Sequence, residues 1–211
     1  MGTKDNVHYR LPLILINSGD WAKINLAARV ILPVIGVHAN EKGEAFPGML
    51  LISKLSGYKD LRTVRGGINS LIKAGLLSKT KRKTRVGRHN IYQLLGNTIW
   101  RKGHSYFPIY KDVIEEGYWA DLSPSEVSVL VVMGVKAVIN NPEAKELREL
   151  LEIPIFGIGT LQRKEMIKFS GVSGSAFDYA VKGLISKGWI NLKDEYRYNY
   201  EVYLKPFTED D

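Results

Sequence analysis

The chain has 211 residues, no cysteine, 45% apolar and 25% charged residues, and a formal net charge of +8. That length holds two small domains or one large one, and the balance is that of a folded protein rather than a disordered one. Without cysteine, disulfides, thiolate catalysis and cysteine-ligated zinc are excluded. Asp5, His8 and Arg10 stand where a signal peptide needs apolar residues. The most apolar stretches, Val30 to Val37 and Val127 to Ile139, fall short of the roughly 20 residues of a spanning helix. A soluble, cytoplasmic protein with no membrane partner is therefore expected. The charge is unevenly divided. Residues 1–103 carry 18 Lys+Arg and 5 Asp+Glu, a balance of +13, whereas residues 104–211 carry 12 and 17, a balance of −5. A polyanion is attracted to the first half and repelled by the second.

In chain order, Leu26 to Asn40 has the spacing of a buried helix with a kink at Pro33. Gly43 to Gly48 supplies a turn, a short extended stretch and a helix start. Met49 to Leu55 predicts a short second helix, ended at Ser56-Gly57. Asp60 caps a third helix running to about Lys73 and closed by Ala74-Gly75. Leu76 to Lys79 and Asn90 to Leu94 read as two strands around a loop rich in Lys, Arg and Gly. Ile52, Leu55, Val64, Ile68 and Leu71 have the spacing to join the two later helices over a small core. Helix, short helix, tight turn, helix and β-ribbon is the order of a winged helix-turn-helix.

The pattern then recurs. Gly19-Asp20-Trp21-Ala22 matches Gly117-Tyr118-Trp119-Ala120, and Pro12 and Pro108 precede the two motifs at nearly the same distance. Ser123-Pro124-Ser125-Glu126 offers a serine cap, a first-turn proline and a capping-box glutamate. Ile52 to Gly57 aligns with Met166 to Gly171, and Leu71 to Leu77 with Leu184 to Ile190. Met166, Phe169, Phe177, Val181 and Leu184 repeat the core set. An insertion, roughly 140–159, separates the matched ends of the second unit, with Asn141 and Pro142 starting a helix and Gly157 and Gly159 flanking an exit loop. Trp21 and Trp119 are expected to anchor the segment before each first helix in the core. The expected fold is mainly α with small β-ribbons (α+β): two winged helix-turn-helix domains, 1–103 and 104–211, related by internal duplication.

Gly57-Tyr58-Lys59-Asp60-Leu61-Arg62-Thr63-Val64-Arg65, leading into Leu71 to Leu77, resembles the winged-helix domains of bacterial plasmid and phage replication initiators and related regulators. The segment Ala39 to Pro47 resembles them too. The resemblance covers most of residues 9–95 and, more weakly, 107–205. It implies binding of double-stranded DNA in replication initiation. Transcriptional regulation is the alternative, and a protein-interaction adaptor the second alternative.

A helix-turn-helix sets the start of its second helix in the major groove. Here those positions are Lys59, Arg62, Thr63, Arg65 and Asn69, with Lys73 further along. Arg62 and Arg65 have the fork that reads guanine. Gly67 is expected to be a packing position, whereas Gly66 is either a neutral gap or a point of close phosphate approach. In the wing, Lys79, Lys81, Arg82, Lys83, Arg85 and Arg88 place six cations in ten residues, with His89 at the exit and no acid among them. Such a loop grips phosphate, and Ser53, Thr63 and Asn90 offer neutral contacts.

In the second unit Arg62 corresponds to Ser175, Arg65 to Asp178 and Asn69 to Lys182. An aspartate there is expected to repel phosphate. The second unit therefore reads as a homodimer or protein-partner surface, or as a weak second DNA contact through Lys164, Lys168 and Lys182. The tyrosines from Tyr196 to Tyr200 suit either an interface or plain packing. His8, His38, His89 and His104 have no metal-ligand spacing. Gly157-Ile158-Gly159 lacks a third glycine, and Glu143, Glu146, Glu149 and Glu152 form a solvated acidic face. No catalytic site, metal, cofactor or small-molecule substrate is expected.

Overall fold

Alternation of apolar and polar residues in His8–Pro12 makes a half-buried strand, β1, with Tyr9 and Leu11 facing inward. It pairs antiparallel with β5 (Tyr106–Tyr110), in a register that sets His8 opposite Tyr110 and Pro12 opposite Tyr106. The computed structural model describes residues 7–84, 87–99, 101–102, 104–140, 155–160, 163–194 and 199–206. Between these strands run α1 (Leu13–Asn17), α2 (Asp20–Lys23) and α3 (Leu26–Gly36), then β2 (Glu44–Ala45), α4 (Met49–Leu55), α5 (Leu61–Lys73), β3 (Leu77–Thr84) and β4 (Gly87–Leu94). After β5 come α6 (Lys111–Glu115), α7 (Pro124–Asn140), β6 (Ile155–Thr160), α8 (Arg163–Ser170), α9 (Gly174–Ser186), β7 (Ile190–Asp194) and β8 (Asn199–Tyr203). Two three-stranded sheets have the orders β2-β4-β3 and β6-β8-β7. The chain is thus α+β with small antiparallel sheets. Among the described residues no helix is long and apolar enough to cross a membrane.

Local chemistry explains where these elements start and stop. Asn25 accepts the Ala28 N–H to cap α3, and Ser123 and Glu126 exchange the two bonds of a capping box at α7. The first long helix ends at Gly36, short of the expected Asn40, because the Asn40 side chain accepts the N–H groups of Lys42 and Glu44 and turns the chain. Pro33 sits within it. The expected wing strands prove too short, since pairing in β3 and β4 runs out to Thr84 and Gly87. Gly157 and Gly159 lie in strand β6, not in an exit loop. A side chain at Gly157 would crowd Ala137, and one at Gly159 would enter the Tyr200 ring. The helix expected from Asn141 lies outside the described residues.

The two halves share one continuous buried cluster, in which α3 packs on α7. Their contacts are reciprocal. Trp21 Nε1 donates to the Ser128 carbonyl at 3.4 Å, and Trp119 Nε1 to the Val30 carbonyl at 3.0 Å. Within each half a matching contact recurs: the Tyr9 ring occupies the space over Gly36, and the Phe107 ring that over Gly134. Gly57, with φ of 72°, leaves no room for a Cβ beside the Ala120 carbonyl, and Gly171, with φ of 62°, sits close against the Arg29 guanidinium and Ala22. The tryptophans are core residues, but each indole bonds to the opposite half.

Arg29 fastens the same junction. It is 3% exposed and has no carboxylate partner among the described residues. Its guanidinium donates to the carbonyls of Ile24, Ala22 and Ser170 and to the Ser128 hydroxyl, joining both halves. Burial pulls its pKa down to about 10, which leaves it charged at neutral pH. Replacing it by alanine orphans these buried acceptors. Arg29→Ala should therefore lower stability by roughly 3 kcal/mol, read as a lower urea midpoint. The isolated fragment 1–103 uncovers Trp21 and Val30, whose partners lie in the other half. It should bind a hydrophobic dye and unfold without cooperativity, unlike the full chain.

Candidate nucleic-acid interface

The turn between α4 and α5 is built from Gly57 in the left-handed region and Asp60, whose carboxylate accepts the Arg62 N–H at 2.8 Å. Helix α5 is sharply two-faced. Val64, Gly67, Ile68 and Leu71 are buried, whereas Arg62, Arg65, Gly66, Asn69 and Lys73 are exposed at spacings of three and four, one stripe along the helix. Lys59 is exposed in the turn, and Thr63 is half-buried at the edge of the stripe. Ser53 is set apart: its hydroxyl donates to the Tyr58 carbonyl at 2.5 Å, so its one proton fastens the turn and is not free for a phosphate.

The basic segment is a paired ribbon rather than a loop. Lys79 lies opposite Tyr92, Lys81 opposite Asn90 and Arg82 opposite His89. Period-two alternation puts Lys79 and Lys81 on the face of Tyr92, whose hydroxyl reaches Met49 Sδ of α4 at 3.5 Å. Arg82 and His89 share the other face. Lys81, Arg82 and His89 are exposed and Lys79 is half-buried. Lys83 and Arg88 face each other in the register, and Arg85 lies outside the described residues. Among the described residues, no carboxylate pairs with a cation of α5 or of the ribbon; the four ion pairs lie elsewhere.

Two adjacent glycines in α5 have opposite surroundings. A Cβ at Gly67 would stand 2.5 Å from Ile31 Cδ1 and 3.0 Å from the Ala27 backbone, so this glycine lets α5 close onto α3, as expected. A Cβ at Gly66 meets nothing within 4 Å.

The corresponding surface of the second half differs. Ser173 caps α9, whose exposed stripe reads Ser175, Asp178, Tyr179 and Lys182. Asp178 is held by a two-pronged bond from Arg163, at 2.9 and 2.7 Å, which keeps its carboxyl below the usual range. Its charge is thereby partly compensated by a solvent-exposed ion pair. Lys164, Lys168 and Lys182 are exposed. Tyr200 is fully buried and donates to the Met133 carbonyl at 3.1 Å, and Tyr203 is buried too, so these two tyrosines are packing residues. Tyr196 and Tyr198 lie outside the described residues.

Residues 22–77 match a known family, described as a helix-turn-helix domain. The match runs from α2 through α5 to the first residue of β3, so it holds the whole α5 stripe and stops short of the ribbon. It supports DNA as the partner of this part of the chain. Comparison with curated proteins gave no match, and comparison with solved structures gave none.

The neighbours of Gly67 fix the sign of a substitution there. Gly67→Ala should destabilise the chain by about 1–3 kcal/mol through overpacking against Ile31 and Ala27, although alanine is the better helix former. Thermal unfolding of the full chain measures it.

Proposed function

We propose that the chain is a sequence-specific double-stranded DNA-binding protein. Helix α5 enters the major groove and the ribbon of β3 and β4 lies on the phosphate backbone. The observation that carries this reading is the exposed stripe of Arg62, Arg65, Asn69 and Lys73, unneutralised, on the last helix of a segment that matches a helix-turn-helix domain. Lys59 and Thr63 flank the groove, while Lys79, Lys81, Arg82, Lys83, Arg85, Arg88 and His89 supply phosphate contacts. The reading assigns the chain no catalytic step.

The two halves descend from an internal duplication in this reading. Trp21 and Trp119, Val30 and Ser128, and Gly36 and Gly134 are each 98 positions apart, and each pair plays one role twice. The half from 104 to 211 carries the weaker or partner-facing surface. The process served is replication initiation of a plasmid- or phage-type element, supported by the resemblance of residues 57–77. Transcriptional control is the second reading, favoured by a match that covers a helix-turn-helix alone. Recovering the bound DNA separates them, because iterated short repeats mark an origin and a single palindrome an operator.

Fluorescence anisotropy on duplex DNA tests the binding. With Lys81, Arg82, Lys83 and Arg85 replaced by alanine in the full chain, the slope of log affinity against log salt should fall by roughly 3–4. An unchanged slope would favour a protein adaptor instead. Arg62→Ala should narrow the preference for the selected sequence by roughly 5- to 100-fold, read by competition with random duplex.

A further inference from the structure

Gly66 is the one position of the α5 stripe without a side chain, and nothing in the fold requires that. It lies in regular helix, outside the left-handed region that favours glycine. Its surroundings are open, unlike those of Gly67 one residue on. Glycine in mid-helix is a poor helix former, so alanine here would improve the isolated fold. Its neighbours on the stripe are Arg62 one turn before, Arg65 beside it and Asn69 one turn after. At the corresponding place α9 carries Tyr179, 76% exposed, so a large side chain is compatible with this helix position.

We infer that Gly66 is a steric window through which the recognition helix seats its backbone against the floor of the major groove, and that it governs how deeply Arg62, Arg65 and Asn69 reach. This rests on the DNA-binding reading. A helix with its side chains is about 10–12 Å across and the groove about 12 Å wide, so seating depth is set by what projects from the leading face. A bare Cα between two arginines and an asparagine brings a base edge into contact with the helix axis side, where the guanidinium forks meet guanine edges directly. A methyl at Gly66 lifts all three side chains together.

The test uses the full chain and a duplex enriched from a random-sequence pool by the wild-type protein. Gly66→Ala should raise the melting temperature by about 2–4 °C. The same variant should bind the enriched duplex roughly 5- to 100-fold more weakly, the loss expected when a forked arginine contact is broken. Gly66→Tyr, which copies α9, should weaken binding further while keeping the wild-type circular dichroism spectrum. Stability that rises with affinity unchanged in both variants overturns the inference and leaves Gly66 an idle position. A lower melting temperature for Gly66→Ala overturns it too, by showing that the glycine serves the fold. Failure of the wild type to enrich any duplex overturns the DNA reading itself, and is distinguishable because it appears before any variant is made.

Discussion

The arrangement of the molecule depends on two indole N–H groups that find their acceptors across the junction of the halves. Trp21 reaches Ser128 and Trp119 reaches Val30, each on the first long helix of the opposite half. A buried indole without a partner is costly. Neither half can therefore settle its largest side chain alone, and the two form one core. Arg29 adds an asymmetric clasp at the same place, because its guanidinium needs oxygens from α7 and α8 as well as from its own segment. A buried cation satisfied by neutral oxygens alone is a demanding arrangement, and it tolerates little displacement of one half against the other.

From that junction the candidate DNA surface follows. Gly57 sets the α4–α5 turn against Ala120, and Gly67 lets α5 close onto α3, whose carbonyl at Val30 accepts Trp119. The polar stripe of α5 is consequently held on a rigid base, with its basic residues turned outward and its apolar residues locked below. The ribbon adds charge without adding a carboxylate. In the second half the same scaffold carries different surface chemistry: Arg163 pairs with Asp178, and Tyr179 stands where the first half has Gly66.

Much of this was legible in the residues. Asp60 and the Ser123–Glu126 pair announce helix starts through their side-chain bonds to backbone N–H groups, a purely local matter. The core set of Val64, Ile68 and Leu71 follows from helical period. What escaped was long-range. β1 and β5 are five residues each and pair across almost a hundred positions, so their short alternating patterns gain meaning only from one another. The one signal for Arg29 was a lone cation in an apolar helix run. The ribbon outran its expected strands because Lys and Arg read as loop, although Thr80 and Thr84 interleave them with strand-forming residues. Gly157 and Gly159 read as loop punctuation because the facing Ala137 and Tyr200 that explain them lie far off in sequence.

The Trp21–Ser128 and Trp119–Val30 bonds also make the packing of the two halves independent of dilution. Helix-turn-helix bodies that pair as separate subunits come apart on dilution, and the pair exists only above a threshold set by their dissociation constant. Here the partner is on the same chain, present at an effective concentration that no dilution lowers. The packed state of the two halves should thus persist in a cell holding only a few copies, and a single polypeptide holds the helix-turn-helix segment of residues 22–77 in fixed orientation to the second half without first having to find another molecule.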